Sequence, residues 1–117
     1  MKKWVNLTPH KITLLLQDRQ PVELPSQGTV RLENGKEPSI RYEGIVPVVT
    51  PPTFKGLVGD LHRFNEAEYV IVSGMVGEYC ATHKLRSHVY GPSTYPAHTE
   101  RDERGQIIGV YALNQYC

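Results

Sequence analysis

The residues with the clearest chemical potential lie in the segment YVIVSGMVGEYC, residues 69–80. A short β-branched run ends at Ser73-Gly74, and a helix is predicted to begin there. Backbone N–H groups at the start of a helix have no partner within it, so they can bind an anion together with the positive end of the helix dipole. The turn therefore indicates a phosphate or carboxylate ligand. Gly77 follows one turn later, but the SGxxG spacing lacks a full dinucleotide or P-loop pattern. A capping role for Ser73 stays open.

Four further side chains are predicted to complete a nucleotide site with Ser73 and Gly74. Arginine binds phosphate through bidentate hydrogen bonds, and a tyrosine ring offers a flat face on which a base can stack. Residues of both types lie in and just after the segment 85–98: Arg86, Tyr90, Tyr95 and Arg101. For each residue taken alone, a place on the protein surface is the alternative.

A polar cluster of Asn6, Thr8 and His10 precedes the first predicted strand. Because the residue before a proline favours extended geometry, Thr8-Pro9 is typical of a turn or a strand entry. A structural role is therefore favoured for the cluster. The alternative is that His10 faces the ligand, and we include His10 in the predicted site.

Histidine and cysteine spacing does not indicate an enzyme or a metal centre. Cys80 and His83 lie three residues apart on one short predicted helix, while His88 and His98 match no zinc-ligand spacing. A cysteine on such a helix is expected in the core rather than as a nucleophile. We assign no catalytic residue, metal or cofactor, which favours binding without turnover.

Length and charge limit the class of protein. The chain has 117 residues and a formal net charge of +1, with 13 Lys and Arg against 12 Asp and Glu. It fits one domain, residues 1–117, and lacks the concentrated basic face of a general nucleic-acid binder. The N-terminal apolar run is interrupted too often for a signal peptide or a membrane span. A cytoplasmic protein without a membrane partner is expected.

The predicted elements give an α+β fold with a mainly antiparallel sheet and one short helix after the strand at residues 69–72. The helix is predicted over 75–84, residues 59–68 as a polar connection, and residues 85–98 as a long loop. Pro47 indicates an edge strand or a bulge. Because unpaired edges can be buried against a symmetry mate, a homo-oligomer is expected. Strands are predicted at 11–17, 21–24, 29–33, 39–42, 45–50, 54–58, 69–72, 99–102 and 106–112.

Four short motifs occur in the same order as in a family of small phage and prophage proteins: NLTPH at 6–10, GIVPVV at 44–49, YVIVS at 69–73 and RDERGQIIG at 101–109. The chain resembles that family over nearly its whole length. The resemblance implies a phage or prophage origin and a place in the host cytoplasm, but it carries no catalytic residues. Phage proteins of this size are often counter-defence factors, including sponges that sequester cyclic-nucleotide signals.

Three functional hypotheses follow. The first is a counter-defence protein that binds and sequesters a small anionic, nucleotide-like ligand without turnover. The second is an inhibitor or adaptor that binds a host protein through a sheet edge or the loop 85–98. The third is a small hydrolase of a nucleotide signal.

Overall fold

The computed structural model describes residues 3–117, which form an α+β fold of short strands and two α-helices. The helices are α1 (Leu61–Glu66) and α2 (Gly74–His83), and a 3-10 helix spans Pro96–His98. The strands are β1 (Trp4–Asn6), β2 (Ile12–Leu14), β3 (Val22–Leu24), β4 (Val30–Asn34), β5 (Ser39–Glu43), β6 (Val46–Thr50), β7 (Phe54–Gly59), β8 (Tyr69–Ile71), β9 (Val89–Pro92), β10 (Thr99–Arg101), β11 (Ile107–Val110) and β12 (Leu113–Gln115).

The central sheet has the strand order β1-β8-β9-β12. Strands β1, β8 and β9 run parallel, while β12 pairs antiparallel with β9. Parallel neighbours need a crossover connection, and α2 supplies it between β8 and β9. A second sheet, β10-β11-β2-β3, contains one parallel pair, and β4–β7 and β5–β6 are separate antiparallel pairs. The sheets are therefore mixed: five of the strand pairs in the described residues are antiparallel, and the three parallel pairs were not predicted.

The two faces of the central sheet are buried against different layers. Side chains alternate between faces along a strand, so Val70 and Val72 point one way and Ile71 the other. The face of Val70 packs with buried side chains from α1, α2 and β4. The face of Ile71 packs with the second sheet. Burial on both faces explains why β8 is apolar without interruption.

Two predicted connections contain regular structure. Residues 59–68 were expected as a polar connection but include α1, whose Phe64 is only 3% exposed. Six residues are too few to show a helical period. The predicted loop 85–98 contains β9 and the 3-10 helix. Gly91 and Pro92 are unfavourable in strands, so β9 was not predicted. The strand tolerates Pro92 because it is the last residue.

The predicted helix after β8 is present and lies one residue earlier than expected. It begins at Gly74 and ends at His83, and Lys84 follows with a left-handed φ of 51°. In the part of the chain that the structure describes, neither α-helix has the length and apolar character needed to cross a membrane.

The hairpin β5–β6, residues 39–50, forms an arm that projects from the rest of the chain. Its two-residue turn places Gly44 at a φ of +62°, which favours glycine. The radius of gyration is 17.0 Å, and the molecule measures 59 × 37 × 20 Å. A compact chain of this length has a radius of about 13 Å. Both strands of the arm are edges, as Pro47 in β6 predicted.

Candidate functional site

The strands β1, β8 and β9 end at one side of the central sheet, which we call the carboxyl edge. Ligands of parallel sheets bind beyond such an edge. Ser73 and Gly74 follow β8 there, at the start of α2. The connection after β1 contains His10, and the connection after β9 contains Tyr95. Four of the predicted site residues thus belong to connections that leave the same edge.

The start of α2 has the geometry of an anion site. Ser73 is exposed and extended, with φ −66° and ψ 160°, and within residues 3–117 its side chain makes no capping hydrogen bond. Its carbonyl accepts the first helical hydrogen bond, from the N–H of Gly77 at 2.9 Å. The preceding N–H groups have no intrahelical acceptor. An anion placed there would meet these donors and the positive end of the dipole.

Tyr116 explains two glycines near this turn and was missed in the sequence. A Cβ built on Gly77 would lie 2.3 Å from the Tyr116 ring, and one built on Gly91 would lie 2.9 Å from it. These glycines therefore make room for an aromatic ring from the end of the chain. A Cβ on Gly74 would lie 3.5 Å from the Tyr116 hydroxyl, so this hydroxyl borders the start of α2. No sequence spacing links residue 116 to these positions.

The segment 6–10 is held by a buried side-chain network. Asn6 is fully buried, and its Nδ2 donates to the carbonyl oxygens of His10 at 2.8 Å and Leu24 at 2.9 Å. Its Oδ1 accepts from the N–H of Thr8 at 3.0 Å and from the Thr8 hydroxyl at 2.6 Å. Both donors and both acceptor positions of the amide are satisfied. This geometry supports the structural reading, in which His10 contributes its backbone carbonyl.

The structure places Arg86 away from the carboxyl edge. Its Nη2 donates to the carbonyls of Ala67 at 2.8 Å and Glu68 at 3.1 Å, its Nη1 donates to that of Phe64, and its Nε donates to that of Ser87 at 2.8 Å. A cation is favoured at the C-terminal end of a helix, here α1. These carbonyls precede β8, and five residues of chain, roughly 16 Å when extended, separate Glu68 from Ser73. Burial lowers the pKa of the guanidinium. Arg86 therefore caps the C-terminal end of α1 by binding its free carbonyls.

Tyr90 lies on the face of the central sheet opposite α2. Its ring centroid lies 4.9 Å from that of Trp4 and 5.9 Å from that of Tyr69. Its hydroxyl lies 3.4 Å from Nδ1 of His88. The ring thus belongs to an aromatic cluster built by three neighbouring strands, and the structure does not bring it to Ser73.

Tyr95 and Arg101 are both exposed. The Tyr95 ring is 66% exposed and lies 5.5 Å from the ring of His98. Arg101 is the last residue of β10, and its Nη1 donates to the carbonyl of Gly105 in the following turn. Tyr95 is therefore free to meet a ligand beyond β9, whereas Arg101 braces its own hairpin.

A serine–histidine pair that sequence reasoning missed lies just after β9. Ser93 is 3% exposed, and its hydroxyl lies 2.8 Å from Nδ1 of the exposed His98. Among residues 3–117, no carboxylate hydrogen-bonds to the His98 ring, so the pair does not extend to a triad. The bond fixes the connection that carries Tyr95.

An open cleft of about 650 Å³ borders the end of β9 and the connection after β1. Its lining includes Thr94, which follows β9, and Lys11, which lies in the connection after β1. Lys11 pairs with Glu23 at 3.2 Å while both remain exposed. The volume suits a small molecule, and Lys11 adds a cation that the sequence did not single out.

The described residues, 3–117, contain no group of three His, Cys, Asp or Glu side chains placed to hold a metal ion. The chain matched none of the protein-family models, curated proteins or solved structures with which it was compared.

Proposed function

We propose that this is a phage or prophage counter-defence protein that captures and sequesters a small anionic, nucleotide-like ligand. The main support is the position of the start of α2 at the carboxyl edge of the parallel strands. Within the described chain, the side chain of Ser73 makes no capping hydrogen bond there. The dipole and the first N–H groups attract the anion. The exposed Tyr95 ring offers a stacking face at the same edge.

Capture without chemistry suits the arrangement of polar groups at this edge. A serine nucleophile needs an accessible hydroxyl, a base and a group that orients the base. Ser93 is buried, and His98 contacts it through Nδ1 without a carboxylate on the ring among the described residues. A sponge acts by equilibrium depletion, so it requires tight binding and no catalytic set.

The direct test is to recover the ligand. Purified protein is exposed to extracts of phage-infected cells, washed and heat-denatured, and the released small molecules are identified by mass spectrometry. We expect an intact phosphorylated compound. Release of a cleaved product would favour the hydrolase hypothesis. Recovery of a host protein with no small molecule would favour the adaptor hypothesis, and either outcome would overturn the proposal.

A charge variant locates the site on α2. Met75 is 61% exposed in the first turn of the helix. Met75→Glu places a carboxylate where the dipole favours it, so folding is preserved while an anionic ligand is repelled. Met75→Gln is the matched neutral control. We expect Met75→Glu to lose capture and Met75→Gln to keep it. Equal capture by both variants would exclude the start of α2.

Ser73→Ala tests the hydroxyl itself. Because Ser73 makes no capping bond within residues 3–117, the substitution should leave the thermal midpoint nearly unchanged. We expect weaker capture, measured by titration with the recovered ligand.

A further inference from the structure

One face of the arm is entirely apolar and exposed. The cross-strand pairs Ile40–Val49 and Tyr42–Pro47 share this face, since directly opposite residues in an antiparallel pair point the same way. Ile40 is 64% exposed, Tyr42 70% and Val49 57%. Ile45 at the tip is 95% exposed.

The other face of the arm is suited to water. It carries the pairs Ser39–Thr50, Arg41–Val48 and Glu43–Val46. Arg41 forms an ion pair with Glu43 at 3.1 Å, and both side chains remain more than half exposed. The arm is therefore an amphipathic ribbon with one face adapted to solvent.

The apolar face requires a cover from outside its own chain. An isolated two-stranded hairpin is at best marginally stable in water. The residues 36–47 are all exposed, so the described part of the chain does not supply the cover. The 59 Å length of the molecule reflects the same projection.

The same chain carries an open apolar groove of about 310 Å³ between the central sheet and the second sheet, on the face of the central sheet opposite α2. Its walls come from β1, β2, β3 and the segment 111–113. Leu16 is 38% exposed and Tyr111 is 49% exposed, so the groove is open to a docking side chain. Six of the lining residues are Trp4, Leu14, Leu16, Val22, Tyr111 and Leu113.

We propose that the arm of one copy docks in this groove of a second copy, and that the exchange is reciprocal. The two copies then form a closed dimer with two-fold symmetry. Apolar side chains from the tip and the apolar face of the arm enter the apolar groove, and the face with Arg41 and Glu43 stays in water. The formal net charge of +1 opposes association only weakly. The interface does not depend on the proposed ligand.

The exposed area is sufficient for a stable dimer. With the exposures of Ile40, Tyr42, Ile45 and Val49, each arm offers roughly 500 Å² of apolar surface. A reciprocal exchange engages two arms, which together offer on the order of 1,000 Å² of surface, and the two grooves add a smaller area. Specific interfaces bury about 1,200–2,000 Å² in total, so the two arms with their grooves reach the lower end of that range.

The test is the mass in solution, measured by sedimentation equilibrium over a range of concentrations. We expect twice the monomer mass of 13.2 kDa. Val49→Lys, on the apolar face, should weaken dimerisation on the order of 100-fold because it buries an unpaired charge. Val46→Lys is the matched control, since Val46 is 55% exposed on the same strand and faces the other way. We expect it to remain dimeric.

A groove variant separates arm-in-groove docking from contact between two arms. Leu16→Asp should also yield monomers, although its arm is intact. When it is mixed with Val49→Lys, one intact arm can meet one intact groove, so part of the dimer should return. A wild-type monomer, equal loss in both Val→Lys variants, or a dimeric Leu16→Asp would each overturn the proposal. Circular dichroism of every variant verifies folding.

Discussion

The central sheet and the arm are built from the same residue types and have opposite surroundings. Val70 and Val72 in and after β8 are fully buried, whereas Val46 and Val49 in the arm are 55% and 57% exposed. Alternation fixes which side chains share a face in both regions. It does not fix what covers that face. The comparison shows that a strand stabilises this fold only where other elements cover its apolar face. In the arm, the described chain leaves that face exposed.

The largest predicted effect lies in the buried network that closes β1. Asn6→Ala should lower the free energy of unfolding by about 3–5 kcal/mol, because it leaves the buried carbonyl of Leu24 and the buried N–H of Thr8 without their partner and removes one of the two donors to the carbonyl of His10. Asn114→Ala in the exposed part of β12 is the control and should cost less than about 1 kcal/mol. Urea unfolding measures both. Equal costs would remove the distinction between buried and exposed regions.

The second prediction tests packing between α2 and the end of the chain. Gly77→Ala should cost about 1–3 kcal/mol, because the new Cβ would lie 2.3 Å from the Tyr116 ring. In the Tyr116→Ala background the ring is gone, and the same substitution should stabilise by up to about 1 kcal/mol through helix propensity. This change of sign is read from a double-mutant cycle. A cost that persists without the ring would contradict the assigned role of Gly77.

The comparison itself is tested by one substitution made in both regions. Val70→Ala should cost about 2 kcal/mol, since it removes fully buried methyl groups and leaves a cavity. Val49→Ala should cost less than about 0.5 kcal/mol when measured in the Leu16→Asp background, where the arm has no groove to enter. Chemical denaturation compares the two. Similar costs would show that the arm is already packed within its own chain.

The sequence predicts the elements whose signals are local. The β8–α2 turn, the two separate strands of the arm and the hairpin 99–110 follow from β-branched runs, glycines and alternation. The parallel order of the central sheet has no local signal, because it depends on which strands meet after the crossover. Arg86 shows the same limit in the site. Its acceptors at Phe64, Ala67 and Glu68 lie about twenty residues earlier in the chain and reach it only through the packing of α1.

The smallest predicted effect is a pH dependence of the free energy of unfolding that arises from the buried Cys80 thiol. Burial, together with a smaller contribution from neighbouring Cys117 and against the opposing effect of Arg86, raises the pKa of the Cys80 thiol from 9.0 to about 11. Above pH 9 the unfolded chain releases a proton that the folded state retains. The contribution is therefore complete below pH 9 and is lost as the pH rises through 11.

Cys80→Ala should flatten the fall in the free energy of unfolding between pH 9 and 11, relative to wild type. Slopes rather than absolute values are compared, because the substitution also leaves a cavity. Titrating groups that do not interact with Cys80 contribute equally to both proteins and cancel in the difference. An unchanged slope would mean that water reaches the thiol. The core around the central sheet would then differ less in solvent exposure from the arm than the burial of Cys80 indicates.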